Sequence, residues 1–302
     1  MAQTHETKAV LASSTKGSPA QRAAAMVAQM TETEKLTLLE GYFATDFPAT
    51  KFTAPPEGRE GSAGYVPGIP RLGIPPQWES DAGLGVASQG LAKVKRPATA
   101  LPSGPATAAT FDPALAYEGG RMIGGEARAY GFNVMLGGAV NLLREPRNGR
   151  NFEYAGEDPL LAGTIVGAEI AGVQSNHVID TTKHYALNDQ ETDRSGGNFI
   201  IDEAALRMSD LLAFELAIER GHPGSVMCSY NRVNGVQACE NRFLLEDVLR
   251  RDWGWQGYVM PFLKNYLVTL DLDHGRVWLA KNPTPPPEGM PLSGLASPIS
   301  LK

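Results

Sequence analysis

Val178-Ile179-Asp180-Thr181-Thr182-Lys183-His184-Tyr185-Ala186-Leu187-Asn188-Asp189-Gln190-Glu191-Thr192-Asp193-Arg194 opens as a β-branched run and closes in ionisable side chains. The first part reads as a short strand. The second part carries a Lys183–His184 pair, then Asn188, Asp189, Glu191, Asp193 and Arg194. A buried strand whose carboxyl end turns abruptly charged is how an α/β barrel presents chemistry to a ligand. A solvated loop with local ion pairs is the plainer reading, but such a loop has no need of a Lys–His pair on the end of an apolar strand.

On either side of this stretch, strands and helices alternate. Ser18-Pro19 opens a helix, with Pro at the first helical position where its missing N–H is harmless. Thr31-Glu32-Thr33-Glu34 is a capping box for a second short helix. Residues 44–70, rich in Pro, Gly, Ala and Thr, read as a long surface loop. Gln77–Asp81 is a candidate strand end, followed by a glycine-bearing turn at 82–86. A helix is expected from about Pro113 to Tyr130 with Asp112 as its cap, then a strand at 132–136 and a polar loop over 137–159. Further helices are expected at about 159–173, 201–220 and 241–252, and further strands at 225–230 and from 257 to 260. This alternation predicts an α/β fold with a parallel sheet and crossover helices. No dinucleotide-binding first turn is present, so a (β/α) TIM-like barrel is expected rather than an open sheet. The pattern stops well short of the roughly 250 residues of a full barrel, so the barrel is expected to be incomplete.

The totals describe a globular chain of 302 residues, 42% hydrophobic and 20% charged. A net charge of −6 argues against nucleic acid or an anionic membrane as partner. Met1 to Gly17 is polar and aperiodic and reads as disordered, with no apolar core ahead of a cleavage site. No export signal is therefore expected, and the default compartment is the cytoplasm. The two cysteines, Cys228 and Cys239, are close enough for one disulfide, or are two packed thiols in a reducing compartment. No cluster at zinc-ligand spacing and no phosphate loop appears, so no cofactor or metal is expected.

Each proposed strand ends in polar residues. Asp81 follows the first, Arg144, Arg147 and Arg150 crowd the loop after the second, Lys183 and His184 follow the third, and Tyr230 and Asn231 the fourth. Converging on one barrel face, these groups bracket a hydroxyl-rich ligand through charge-assisted hydrogen bonds, which makes carbohydrate the natural partner. Plainer roles compete. Asp81 could cap the Gly-rich turn, and Met227 is by default a core residue. Arg144 and Arg147 would pair with Glu145, Glu153 or Glu157, while Glu157 and Asp158 cap the helix at Pro159. A Schiff-base role for Lys183 fits less well than hydroxyl binding.

At these residues a resemblance becomes specific. Arg-Asn-Gly-Arg-Asn-Phe-Glu-Tyr-Ala-Gly-Glu-Asp-Pro (147–159), Lys-His-Tyr-Ala-Leu-Asn-Asp-Gln-Glu-Thr (183–192) and Met-Cys-Ser-Tyr-Asn-Arg-Val-Asn-Gly (227–235) resemble the signature segments of glycoside hydrolase family 3, in its β-glucosidase-like branch. The likeness spans about residues 20–260. It implies the barrel that forms the first domain of a longer, often periplasmic or secreted enzyme, here over residues 18–265, without the C-terminal sandwich domain that follows in the family. It also implies a β-glucoside or related oligosaccharide as ligand. Asp81, Arg150, Lys183 and His184 would hold the sugar hydroxyls, and Met227 and Tyr230 would line the pocket.

One departure bears on activity. The resemblance implies a nucleophilic Asp, in a Ser-Asp-Trp context, just after the strand Gly257-Tyr258-Val259-Met260; here Pro261-Phe262-Leu263 follows. Phe262 stands at the nucleophile's place, and a phenyl ring has no lone pair with which to attack an anomeric carbon. Asp271 and Asp273 come about ten residues too late to substitute in a retaining pair of carboxyls. Residues 266–302 read as a tail foreign to the family, with a cluster at Pro283, Pro285, Pro286 and Pro287, as a frameshift, mis-splice or truncation would leave. The chain itself is expected to be weakly active or inactive, or to persist as a non-catalytic sugar-binding remnant.

Overall fold

The computed structural model describes residues 18–39, 41–42, 61–81, 83–88 and 96–260, together with the backbone of strands at 266–271, 276–281 and 299–300. The expected disorder of residues 1–17, the loop over 44–60, Phe262, Asp273 and the Pro cluster at 283–287 lie outside the described residues.

Two capped helices, α1 (Pro19–Val27) and α2 (Glu32–Thr37), lead in. Both expected capping boxes form: Ser18 with Gln21, and Thr31 with Glu34. The Arg71 guanidinium then grips both oxygens of Glu34 and the Gln29 carbonyl, which ties this lead-in to the turn after the first strand.

The central sheet has six strands in the order β1 (Gly64–Val66), β2 (Gln77–Asp81), β3 (Val134–Leu136), β4 (Ile179–Tyr185), then Ser225–Cys228 and Tyr258–Met260. The last two are β6 and β9. A small separate sheet holds β5 (Asn198–Phe199), β7 (Arg232–Val233) and β8 (Val236–Gln237). From β2 to β9 every pairing in the central sheet is parallel, and the curled sheet forms part of an α/β barrel. Strand β1 corrects the expected loop at 44–70. It is buried and runs antiparallel to β2 at the sheet edge, with Tyr65 opposite Trp78. Three residues are too few for a hydrophobic period to show. Beyond the central sheet, Tyr266–Asp271, Arg276–Lys281 and Ile299–Ser300 form an antiparallel sheet of their own.

The crossovers are helical. After β2 come α3 (Gly104–Ala108) and α4 (Pro113–Ala129), and after β3 comes α5 (Pro159–Gln174). Asp112 and Asp158 cap α4 and α5 through their carboxylates, as expected. The single helix expected over 201–220 is broken into α6 (Glu203–Met208) and α7 (Asp210–Gly221) by Ser209, whose φ and ψ of −123° and −96° are not helical. The segment after β8 is a π-helix, Phe243–Asp252. Helix α5 packs between α4 and α7 through glycines: a Cβ on Gly172 would strike the Tyr117 carbonyl, and one on Gly163 would meet that of Ala213 at 2.7 Å. The main core lies between these helices and the outer face of the sheet, where Ile165, Ile170, Leu211, Phe214, Val226 and Leu244 are buried together.

Register decides what points inward. Residues paired directly across parallel strands share a face. Asp81 pairs with Leu136, Lys183 with Met227, and Met227 with Met260. These side chains form one layer at the carboxyl ends of the strands, on the inner face of the curled sheet. Deeper on the same face lie two rows, Glu79 with Val134 and Ile179, and Thr181 with Ser225 and Tyr258.

Candidate functional site

Lys183 is the centre of the inner layer. Its side chain is only 2% exposed, and its Nζ reaches Glu153 Oε1 at 3.0 Å and Asp81 Oδ1 at 3.3 Å. A buried ammonium without counter-charge would lose its proton. Burial does press the Lys183 pKa down, but the Glu153 and Asp81 carboxylates outweigh it and hold the pKa above its usual value. Glu153 in turn takes a two-pronged grip from Arg150, Nε to Oε2 at 2.8 Å and Nη2 to Oε1 at 3.0 Å. Burial favours its neutral form, yet Lys183 and Arg150 hold its pKa below the carboxylate range. The result is a charge-alternating array: Asp81, Lys183, Glu153, Arg150.

His184 stands behind this array rather than on its open side. It is buried, with Nε2 at 3.1 Å from Arg150 Nη2 and Nδ1 at 3.1 Å from Tyr154 Oη. Burial, reinforced by Arg150, Lys183 and Arg194, drives its pKa well below the usual value, so the ring is neutral. A guanidinium can only donate, so Nε2 must accept and Nδ1 must carry the hydrogen that it donates to Tyr154. The Tyr154 hydroxyl also accepts from Asn188, whose Nδ2 hydrogens are shared with Glu191 Oε1 at 3.0 Å. Asn141 fixes the backbone here: its side chain accepts from His184 N at 2.8 Å and donates to His184 O at 3.0 Å. The β3 loop is thereby stitched to the end of β4.

The array opens on a cavity of about 430 Å³ bordered by Asp81, Arg150, Glu153 and Lys183, with Gly83 to Ala87 and Ala98 to Ala100 opposite. Asp81 is the accessible member, its side chain 39% exposed. Of the six residues singled out in the sequence, Asp81, Arg150 and Lys183 come together on this wall. Among the described residues His184, Met227 and Tyr230 are not part of it. Met227 is buried with Val134, Leu136 and Met260 on the inner face. Tyr230 is partly buried under the Arg194 guanidinium, 4.7 Å from its ring centre.

Glu153 is the member that the sequence did not disclose. It lies in a loop with several arginines, and local pairing was its obvious use. Arg147 does pair locally, with Glu145, but Arg144 corrects the expectation. It leaves the loop for Asp189 Oδ2 at 3.1 Å and Asp210 Oδ2 at 2.6 Å. The cysteine alternatives also resolve: Cys228 and Cys239 are joined, with Cα atoms 5.2 Å apart.

Comparison with known proteins gives these features a family. Residues 69–261 match the model of the glycosyl hydrolase family 3 N terminal domain. Beta-glucosidase BoGH3A of Bacteroides ovatus is 43% identical over 201 residues, covering 64% of this chain and 27% of that protein. Beta-glucosidase B of Emericella nidulans is 44% identical over 191 residues, covering 63% of this chain and 22% of that protein. Beta-glucosidase 3B from Thermotoga neapolitana, solved in complex with alpha-D-glucose, superposes with a TM-score of 0.72 at 36% identity, over 78% of this chain and 33% of that one. DesR, a beta-glucosidase from Streptomyces venezuelae solved with D-glucose, gives 0.69 at 39% identity, over 80% and 28%. The chain thus spans between 22% and 33% of the length of these relatives. Over the matched residues the chain belongs to glycosyl hydrolase family 3, and what it carries of that family is the N-terminal domain.

Proposed function

We propose that this domain grips the terminal glucosyl residue of a β-glucoside, and that the chain binds the sugar without efficiently cleaving it. The array of Asp81, Lys183, Glu153 and Arg150 at the edge of the cavity carries the reading. Asp81 offers an accessible carboxylate that accepts from two vicinal hydroxyls. Lys183 and Arg150 offer charged N–H groups to the neighbouring oxygens, and charge-assisted bonds of this kind are the strong ones. Glu153 fixes both cations, and His184 sets the rotation of the Arg150 guanidinium. The glucose present in two of the similar structures supports the choice of sugar.

Cleavage with retention needs a nucleophilic carboxylate and an acid/base carboxyl about 5–5.5 Å apart. Asp81 and Glu153 flank a single ammonium to which both are committed. The position after β9 that would supply the nucleophile holds Phe262. Without the covalent glycosyl-enzyme step most of the rate enhancement is forfeited.

Two measurements on the full chain test the reading. Titration calorimetry with glucose should show saturable binding that disappears in Lys183→Ala; no heat from the unaltered chain would defeat the sugar assignment. A chromogenic aryl β-glucoside should be released no faster than in buffer, and sustained turnover would refute the assignment of Phe262.

A further inference from the structure

Beside the sugar-facing cavity, under α4 and α5, lies a second one of about 370 Å³. The two share Gly83, Leu84, Thr99 and Glu153 as a dividing wall. The walls of the second are otherwise largely aliphatic, built by Leu101, Leu115, Met122, Ile165 and Val166. Its size falls in the range of small-molecule sites, which are apolar with a few well-placed polar groups. Of the carboxylates on its walls, Glu118 is taken by Arg121 and Glu153 by Lys183 and Arg150, which leaves Glu169, on α5. It lies deep in the protein yet keeps accessible surface, because it borders the cavity.

Glu169 has no hydrogen bond or ion pair among the described residues, which is costly for a carboxyl in such surroundings. Its charged neighbours do not relieve it. Asp180 is a second buried carboxyl whose Oδ2 has no hydrogen-bond partner among the described residues, and Lys183, the cation that acts on Glu169, is already held by Glu153 and Asp81. Burial first, and the Asp180 charge second, push the Glu169 carboxyl up to about 8. The region therefore has an excess of acid and an aliphatic chamber against it.

We propose that this chamber is a second ligand site, that it takes a small apolar molecule ending in a primary ammonium, and that Glu169 is the counter-ion. The apolar body fills the space between α4 and α5, while the ammonium hydrogen-bonds to the Glu169 carboxylate and answers the field of Asp180. Burial holds Glu169 protonated near neutral pH, so an ammonium binds as the carboxyl gives up its proton to solvent, and a neutral alcohol of the same shape has no charge with which to favour that ionisation. None of Asp81, Arg150 and Lys183 borders it, and the two cavities meet at Glu153.

The test is calorimetric titration of the full chain with 2-phenylethylamine and, in parallel, 2-phenylethanol. The amine should bind one per chain and at least tenfold tighter than the alcohol. Glu169→Gln, which keeps the shape and removes the charge, should erase that preference, and Val166→Phe should abolish binding of both by filling the chamber. Asp81→Asn should leave the amine affinity unchanged. Equal affinity for amine and alcohol, or a preference that survives Glu169→Gln, would overturn the proposal. So would loss of amine binding in Asp81→Asn, which would place the amine among the carboxylates of the other cavity.

Discussion

Lys183 Nζ lies 3.0 Å from Glu153 Oε1, although Lys183 stands on β4 and Glu153 in the loop after β3. Glu153 also bonds Arg150 through both oxygens, so one buried carboxylate bridges two cations. Removing one partner of a buried pair leaves a charge without compensation and typically costs about 3–5 kcal/mol. Glu153→Gln is therefore expected to lower unfolding stability by an amount in that range and to weaken glucose binding more than tenfold. Denaturant titration and calorimetry check both. A stable variant with undiminished affinity would mean that Asp81 alone holds the ammonium.

His184 supports Arg150 as a neutral ring, and this has a pH consequence. Its folded pKa is depressed, by burial and then by Arg150, Lys183 and Arg194, so it stays uncharged where a free imidazole would titrate. Glucose affinity is expected to show no inflection near pH 6.5, and the His184 ring resonances should not shift between about pH 5.5 and 8. His184→Phe keeps the volume but leaves Arg150 Nη2 with Glu153 alone, and should weaken glucose binding about tenfold with little loss of stability. An imidazole midpoint near 6.5 in the NMR titration would remove His184 from this role.

What could be read from the sequence divides by physical origin. Caps are local, and Ser18, Thr31, Asp112 and Asp158 each cap as their spacing suggests. Strand ends rich in charge pointed to Asp81, Arg150 and Lys183, because a parallel barrel collects such ends on one rim. Features set by tertiary contact were hidden. The choice of Glu153 over its neighbours as partner of Lys183 depends on the path of a long loop. The break at Ser209 interrupts a segment whose apolar period runs on unbroken, and it places Asp210 against Arg144. The isolation of Glu169 follows from the packing of α5 between two helices, which no period in Pro159–Gln174 discloses.

The Cys228–Cys239 bridge spans 11 positions and encloses the β7–β8 hairpin, next to Tyr230. Closing a short loop of this kind restricts the unfolded chain and stabilises by about 2–3 kcal/mol. The double substitution Cys228→Ala with Cys239→Ala is expected to lower the unfolding free energy by about that amount in non-reducing buffer. In reducing buffer the unaltered chain should fall to the same level as the variant. Equal stability of the two proteins without reductant would show that the bridge contributes nothing.

Buried carboxyls set how stability depends on pH. Glu79 is buried on the inner face of the sheet, deeper than Asp81, where the Tyr258 hydroxyl lies with those of Thr181 and Ser225. Burial, then the Asp81 charge, raises its carboxyl to about 7. Asp180 is raised to about 7 and Asp189 to about 8, burial leading in both and the Asp210 charge adding to the second. An unfolded chain releases these protons near pH 4, so between there and pH 7–8 the folded state holds more protons than the unfolded one. Their contribution is fully present below the unfolded pKa and is lost as pH rises through the folded values, at up to about 1.4 kcal/mol per pH unit for each group. Glu153 acts in the opposite sense, because its depressed pKa adds stability that is lost only in acid. The chain should therefore melt at a higher temperature at pH 5.5 than at pH 8.5. Glu79→Gln should flatten the slope by one group while leaving the acid limb unchanged. A melting temperature that rises steadily from pH 5.5 to 8.5 would mean that these carboxyls are solvated and ionised in the folded protein.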